Sequence, residues 1–171
     1  MTQSQELKPD VQPLNIRIRH ATIKDVQAVV EFNTALASET EGKQLERSRL
    51  EQGVKAILDD PHHGFYLIAE HVASNTAIGQ LLITYEWSDW RNAVFWWLQS
   101  VYVHKSWRRR GVFRRLYQYV MEEAENQKTV AGVRLYVEQE NQLAQQVYQE
   151  LGLLPAGYHV YELDFVLSRS T

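Results

Sequence analysis

Three apolar runs follow one another between Phe65 and Val103, with only short polar turns between them. Phe65–Ala69, Ala77–Tyr85 and Ala93–Val103 each read as a strand; Asn75-Thr76 and the stretch from Trp87 to Asn92 read as the connections. Connections this short leave no room for a crossover helix, so the strands must be antiparallel neighbours. The rest of the chain arranges itself around this meander. Leu14, Ile16 and Ile18 alternate with Asn15, Arg17 and Arg19, which predicts a half-buried strand from Leu14 to His20. Thr22-Ile23-Lys24-Asp25 resembles a capping box, and a helix is expected from Thr22 to about Ser38. Leu50, Val54, Ile57 and Leu58 mark a second helix, stopped by Asp60-Pro61. Val112, Leu116, Tyr117, Val120, Met121 and Ala124 form the stripe of a third. Val133, Leu135 and Val137 alternate as a strand. Asn141 caps a fourth helix with Leu143, Ala144, Val147, Tyr148 and Leu151 inward, and Gly152 ends it. A last strand is expected from Tyr158 to Val166. The order β-α-α-β-β-β-α-β-α-β predicts an α/β (α+β) fold, a mixed and mainly antiparallel sheet flanked by about four helices. Residues 1–13 read as a disordered lead-in and 14–167 as one domain.

Charge is unevenly placed along this frame. Lys105, Arg108, Arg109, Arg110, Arg114 and Arg115 stand in a twelve-residue window without an acid. The other 12 cations face all 21 acids, a balance of −9. A mildly acidic chain with one concentrated basic loop suits a small anion at that loop, and the surrounding charge opposes a long polyanion. A solvated basic face is the plainer alternative. The chain has no cysteine, which excludes disulfides, a thiol nucleophile and thiolate metal sites. His62-His63 has no third ligand at a credible spacing, so no metal site is expected. The polar amino terminus does not read as a signal peptide, and no apolar run is long enough to predict a membrane-spanning helix. A cytoplasmic protein is the expectation.

The basic loop lies between a strand ending at Val103 and a helix opening at Val112. Unpaired N–H groups and the dipole at a helix start, a glycine, and guanidinium groups together suit a diphosphate. The Walker spacing is absent. The run Val103-His104-Lys105-Ser106-Trp107-Arg108-Arg109-Arg110-Gly111-Val112-Phe113 resembles the acetyl-CoA loop of the GNAT superfamily of N-acetyltransferases, Gln/Arg-x-x-Gly-x-Gly/Ala after a strand ending in valine. Asn141-x-x-Ala144-x-x-x-Tyr148-x-x-x-Gly152-Leu153 resembles the family's second signature. Phe113 departs from the first pattern, standing where the family usually has Gly or Ala. Its ring is expected to turn into the core, leaving Val112 or Arg114 towards the ligand.

The resemblance implies a GNAT-like fold over about Leu14 to Phe165 and acetyl transfer from acetyl-CoA to a small-molecule amine, with no metal. It implies a pyrophosphate cradle from the main chain of Arg109, Arg110, Gly111, Val112, Phe113 and Arg114, with Arg108 in the same loop. It implies that the backbone of Val101, Tyr102 and Val103 pairs with the pantetheine arm and that an N–H there faces the developing oxyanion. Asn141 would contact the cofactor, although a cap alone explains it equally well. Tyr148 would protonate the departing thiolate; a core aromatic is its plain alternative. The fourth strand offers no acid for the base, so Glu86 at the end of the third is the candidate, ahead of Asp89, Glu138 and His104. Trp87, Trp90, Phe95, Trp96 and Trp97 crowd the same hairpin, and alternation divides them between the sheet's faces. Acid beside aromatic rings suits a protonated amine. Such proteins commonly pair as homodimers. The competing reading is a non-catalytic module of this fold that senses CoA or binds nucleic acid through the arginine loop.

Overall fold

The computed structural model describes residues 15–166. Five strands form one sheet in the order β1-β2-β3-β4-β5: β1 (Ile16–His20), β2 (Phe65–His71), β3 (Thr76–Ser88), β4 (Ala93–Val103) and β5 (Val130–Leu135). The first four are antiparallel neighbours, and β5 runs parallel to β4. Helices α1 (Val26–Glu41) and α2 (Arg47–Asp59) join β1 to β2, and α3 (Val112–Glu125) joins β4 to β5. The expected fold class holds. A short 3-10 turn, Ile23–Asp25, takes up the capping box before α1 begins. The hairpin turns close on Asn75 and Asn92, both left-handed (φ 49° and 48°), a conformation asparagine tolerates better than most residues.

Strand alternation divides the core between two faces. Tyr66, Ile68 and Leu82 pack with Val26, Val29, Val30 and Val54 beneath α1 and α2. Their neighbours Leu67, Leu81 and Ile83 therefore point to the other face, where α3 buries Val112, Leu116, Tyr117, Val120 and Ala124. Each fully buried aliphatic side chain contributes about 1.5–3 kcal/mol relative to exposure.

A charged cluster closes the β1 edge. Arg19 donates from Nη1 and Nη2 to Asp25 at 2.8 Å and from Nε to Glu70 at 2.8 Å. Burial pushes the Asp25 carboxyl up, but the hydrogen bonds from Arg19 and Thr22 outweigh it and hold it below its ordinary value. Arg19, with Arg17, does the same for Glu70. Carboxyls depressed in the folded state stabilise it above their unfolded pKa of about 4, and that contribution is lost as pH falls through the folded values. Acid unfolding is therefore expected to begin below about pH 4. Arg19→Met should cost about 1–3 kcal/mol at pH 7, less than a fully buried pair because Arg19 keeps part of its exposure. Denaturant titrations at pH 7 and pH 3 check both, and a cost that is the same at the two values counts against the linkage.

The chain divides into two compact units, Met1–Tyr136 and Val137–Thr171. In the second, α4 (Gln142–Glu150) is the one regular element among the described residues. Two expectations are corrected there. Leu143 is not inward but 75% exposed, in the first turn of α4. Tyr158–Val166 forms no strand. The segment has the composition of a strand, yet no ladder satisfies its backbone, and Tyr158, Tyr161 and Phe165 stay open to solvent. The expected strand around Val133 holds as β5, which ends at Leu135, short of Val137. The lead-in 1–13 lies outside the described residues.

Candidate functional site

A bulge near the end of β4 prepares the basic loop. The β3–β4 register slips between Gln80 and Leu82, and opposite this point Ser100 takes a left-handed conformation (φ 46°). The extra residue reverses the alternation of β4. Tyr102 thereby turns to the α1 face, where its ring lies 5.4 Å from Phe32 and its hydroxyl donates to Glu39 at 2.9 Å. Val103 pairs with Gly79, and a Cβ on Gly79 would meet the Tyr102 carbonyl at 2.9 Å and Val112 at 3.4 Å. Beneath the bulge, buried Gln80 donates to Ser100 O at 3.2 Å and to Asn33 Oδ1 at 2.7 Å.

After Val103 the chain makes a 3-10 turn, Lys105–Trp107, before the arginine stretch. Arg108 folds back on the strand just left: Nε donates to Val103 O at 2.9 Å and Nη2 to Glu39 at 2.7 Å. Glu39, on α1, is a residue the sequence reading missed. It gathers Tyr102, Lys105 and Arg108, and the Arg108 hydrogen bond, with help from Tyr102 and Lys105, holds its carboxyl low. Burial and then Glu39 push the Tyr102 phenol up. Arg108 thus braces the loop. Arg109, Arg110 and Arg114 are exposed, with the Arg110 guanidinium 5.3 Å from the Trp107 ring.

The loop turns on two left-handed residues, Arg109 (φ 62°) and Gly111 (φ 76°). Gly111 opens α3 without a side-chain cap, and a Cβ there would meet nothing within 4 Å. The first turn of α3 thus combines the positive end of a 14-residue helix, open space and exposed guanidinium groups. That combination fits a diphosphate. Of the two residues expected towards the ligand, Val112 is corrected, since it is buried, while Arg114 is exposed; Phe113 is half-buried with its ring 6.2 Å from buried Tyr117. Val112 fills the space above Gly79, which leaves the core side of the turn occupied.

A second cluster lies on the α1/α2 face of the sheet. Glu86 on β3 accepts from Trp97 Nε1 on β4 and from Arg134 Nη1 on β5, the latter at 2.7 Å. The Arg134 guanidinium lies 3.8 Å from the Phe95 ring centre, and Trp97 stacks on Tyr136 at 4.3 Å. Arg134 carried no signal in the sequence; it stands 48 residues from Glu86, and only the β4–β5 pairing brings them together. The remaining rings are dispersed. Trp96 is buried on the opposite face, while Trp87 and Trp90 are exposed. Asp89 accepts from the Trp90 N–H in the hairpin turn. His104 caps the 3-10 turn through Ser106. His62 and His63 both lean on Asp60. Among the described residues, no group of three His, Asp or Glu side chains could hold a metal ion, and no helix is long and apolar enough to cross a membrane.

In the second unit, Asn141 Oδ1 accepts from the Ala144 N–H at 3.1 Å, so Asn141 is the N-cap of α4. Glu138 is spent in the turn before it, accepting from the Glu140 N–H at 2.8 Å. Tyr148 is half-buried two turns into α4. Burial pushes its phenol above the ordinary value, so it keeps its proton at neutral pH.

The model of the acetyltransferase (GNAT) family matches residues 29–153. No curated protein matches the chain. Among solved structures, a possible acetyltransferase from Clostridium difficile 630 is 41% identical, covers 89% of this chain and 99% of its own, and superposes with a TM-score of 0.82. A predicted acetyltransferase with acetyl-CoA from Clostridium acetobutylicum shares the fold at 18% identity, covering 87% of this chain and 96% of its own with a TM-score of 0.70. Glucosamine-6-phosphate N-acetyltransferase from Arabidopsis thaliana does so at 15% identity, covering 86% and 97%, with a TM-score of 0.67. The family match takes in the basic loop, α3 and the Asn141–Tyr148 signature together, and the chain belongs to the acetyltransferase (GNAT) family of acetyl-CoA-dependent acyltransferases.

Proposed function

We propose that this acyltransferase acetylates a primary amine by direct attack of the neutral amine on the bound thioester, with residues 14–167 acting as one catalytic domain. The observation that carries the reading is the uncapped start of α3 immediately after the basic turn that ends β4. Acetyl-CoA supplies the activated acyl group. The main chain from Arg109 to Arg114 would hold its pyrophosphate, and the backbone of Val101, Tyr102 and Val103 its pantetheine arm, by the same pairing that adds a strand to a sheet edge. An N–H of that strand would face the oxygen on which charge develops. Asn141 would contact the cofactor in addition to capping α4. The new C–N bond replaces the C–S bond, Tyr148 gives its proton to the departing sulfur, and the ammonium proton leaves by Glu86. Each Glu86 oxygen accepts one bond, from Trp97 or Arg134, which orients the carboxylate and leaves a lone pair on each oxygen for that proton. No covalent enzyme intermediate is required, which suits a chain without cysteine. A cytoplasmic homodimer without a metal belongs to the same reading.

CoA release measured over a panel of amines tests the function. Turnover with primary amines is expected, and CoA binding without turnover across the panel would favour the sensing module instead. Glu86→Gln is expected to lower kcat/KM about 10- to 1000-fold, most at the acid end of the pH profile, because it removes a proton acceptor and a counter-charge together. An unchanged profile on a good amine would return Glu86 to a bracing role beside Arg134. In calorimetry, Arg110→Ala should weaken CoA about 5- to 100-fold, the loss of one charge-assisted hydrogen bond, and added salt should weaken it further. Unchanged affinity would remove Arg110 from the cradle.

A further inference from the structure

A cavity of about 600 Å³ opens at the far end of α3 from the basic loop. Its position follows from strand alternation. Tyr85 and Glu86 are consecutive, as are Trp96 and Trp97, so one member of each pair belongs to the Glu86 cluster and the other to the α3 face. Tyr85 and Trp96 are direct partners in the β3–β4 ladder, and Phe65 pairs with Ile83, one step along on the same face. The Phe65 ring lies 5.2 Å from Trp96 and 6.4 Å from Tyr85, and these three rings form a continuous wall. Glu123, in the last turn of α3, closes the opposite side with Asn126 and Gln127. Glu123 is eleven residues from Val112, a rise of about 16 Å along the helix, so this cavity is not part of the anion site.

We infer that this cavity binds an organic ammonium ion with an apolar body, its charge at Glu123 and its body against Phe65, Tyr85 and Trp96. Three features agree on the sign of the ligand. Glu123 carries the one fixed charge in the lining, which contains no lysine or arginine. The aromatic faces favour a cation. The carboxyl end of α3, where Asn126 is the C-cap, is the negative end of the helix dipole. His20 Nε2 lies 3.2 Å from Glu123 Oε1, which orients the carboxylate. Burial and then the charge of Glu123 push the Tyr85 phenol upward, so Tyr85 stays neutral and adds no competing charge. The size is right for a small organic molecule rather than a bare ion.

Titration of the full chain with phenethylammonium, followed by amide NMR without acetyl-CoA, tests the inference. Shifts at the Gln127, Thr129 and Val130 amides are expected, separate from any at the Glu86 cluster. Neutral 2-phenylethanol, of the same shape, should bind at least about 10-fold more weakly, and Glu123→Gln should weaken phenethylammonium by about 10- to 100-fold at those amides. Tyr85→Leu, which removes an exposed ring without touching the charge, should cost about 3- to 30-fold. Equal binding of 2-phenylethanol, full affinity in Glu123→Gln, or shifts that spare these three amides would overturn it.

Discussion

Tyr148→Phe is expected to lower kcat by about 10- to 1000-fold while leaving CoA affinity and folding nearly unchanged. The substitution keeps the half-buried ring and removes the hydroxyl. Burial keeps the Tyr148 phenol above its ordinary value, so the group holds a proton throughout the neutral range and can give it to a thiolate that would otherwise depart unprotonated. The effect belongs in kcat rather than in KM because the proton moves only in the chemical step. Steady-state rates with a good amine, and calorimetry with CoA on the same variant, separate the two. Wild-type turnover would leave Tyr148 as a packing residue of α4.

Gly64→Ala is expected to destabilise the chain by about 2–6 kcal/mol, the sum of a strained backbone and an overpacked site. Gly64 leads into β2 with φ at 136°, a region closed to residues with a Cβ. A Cβ there would lie 2.0 Å from the carbonyl oxygen of Ile83 in the central strand, and Ile83 is fully buried. Neither partner can yield: one is backbone in a paired ladder, and the other fixes the start of the strand that carries Phe65. Thermal unfolding should report a fall in Tm of about 5–20 °C for a chain of this size. A fall of less than about 2 °C would show that the β2–β3 pairing is looser than this contact requires.

Local chemistry was legible in the sequence wherever neighbours along the chain decide the outcome. The bounds of β4 follow from its apolar run, since Ala93 and Val103 are where the turn residues begin. Asn141 caps α4 because a short side chain three residues before an N–H reaches it whatever the rest of the chain does. The basic turn before α3 is likewise a property of one contiguous stretch, from Val103 to Arg115. The segment Tyr158–Val166 marks the limit of that logic. Its composition suits a strand, but strand formation needs a second backbone, and composition alone cannot provide one.

Tertiary structure alone decided what reaches across the sheet. The slip at Ser100 reverses which side chains of β4 face α1, and that puts Tyr102 against Glu39 and leaves Arg108 bracing the loop rather than projecting from it. No periodicity announces a bulge, because one extra residue leaves the apolar content of the strand unchanged. Arg134 meets Glu86 because β5 returns parallel to β4 after α3, a pairing set by the register of strands far apart in sequence. The cavity under Glu123 has the same origin: its rings come from three strands and its carboxylate from a helix end. Residues close in sequence fix local geometry through short-range sterics and hydrogen bonds, so those features could be read from order alone. Contacts between distant residues depend on register and on the burial of whole faces, and these exist only once the sheet has assembled.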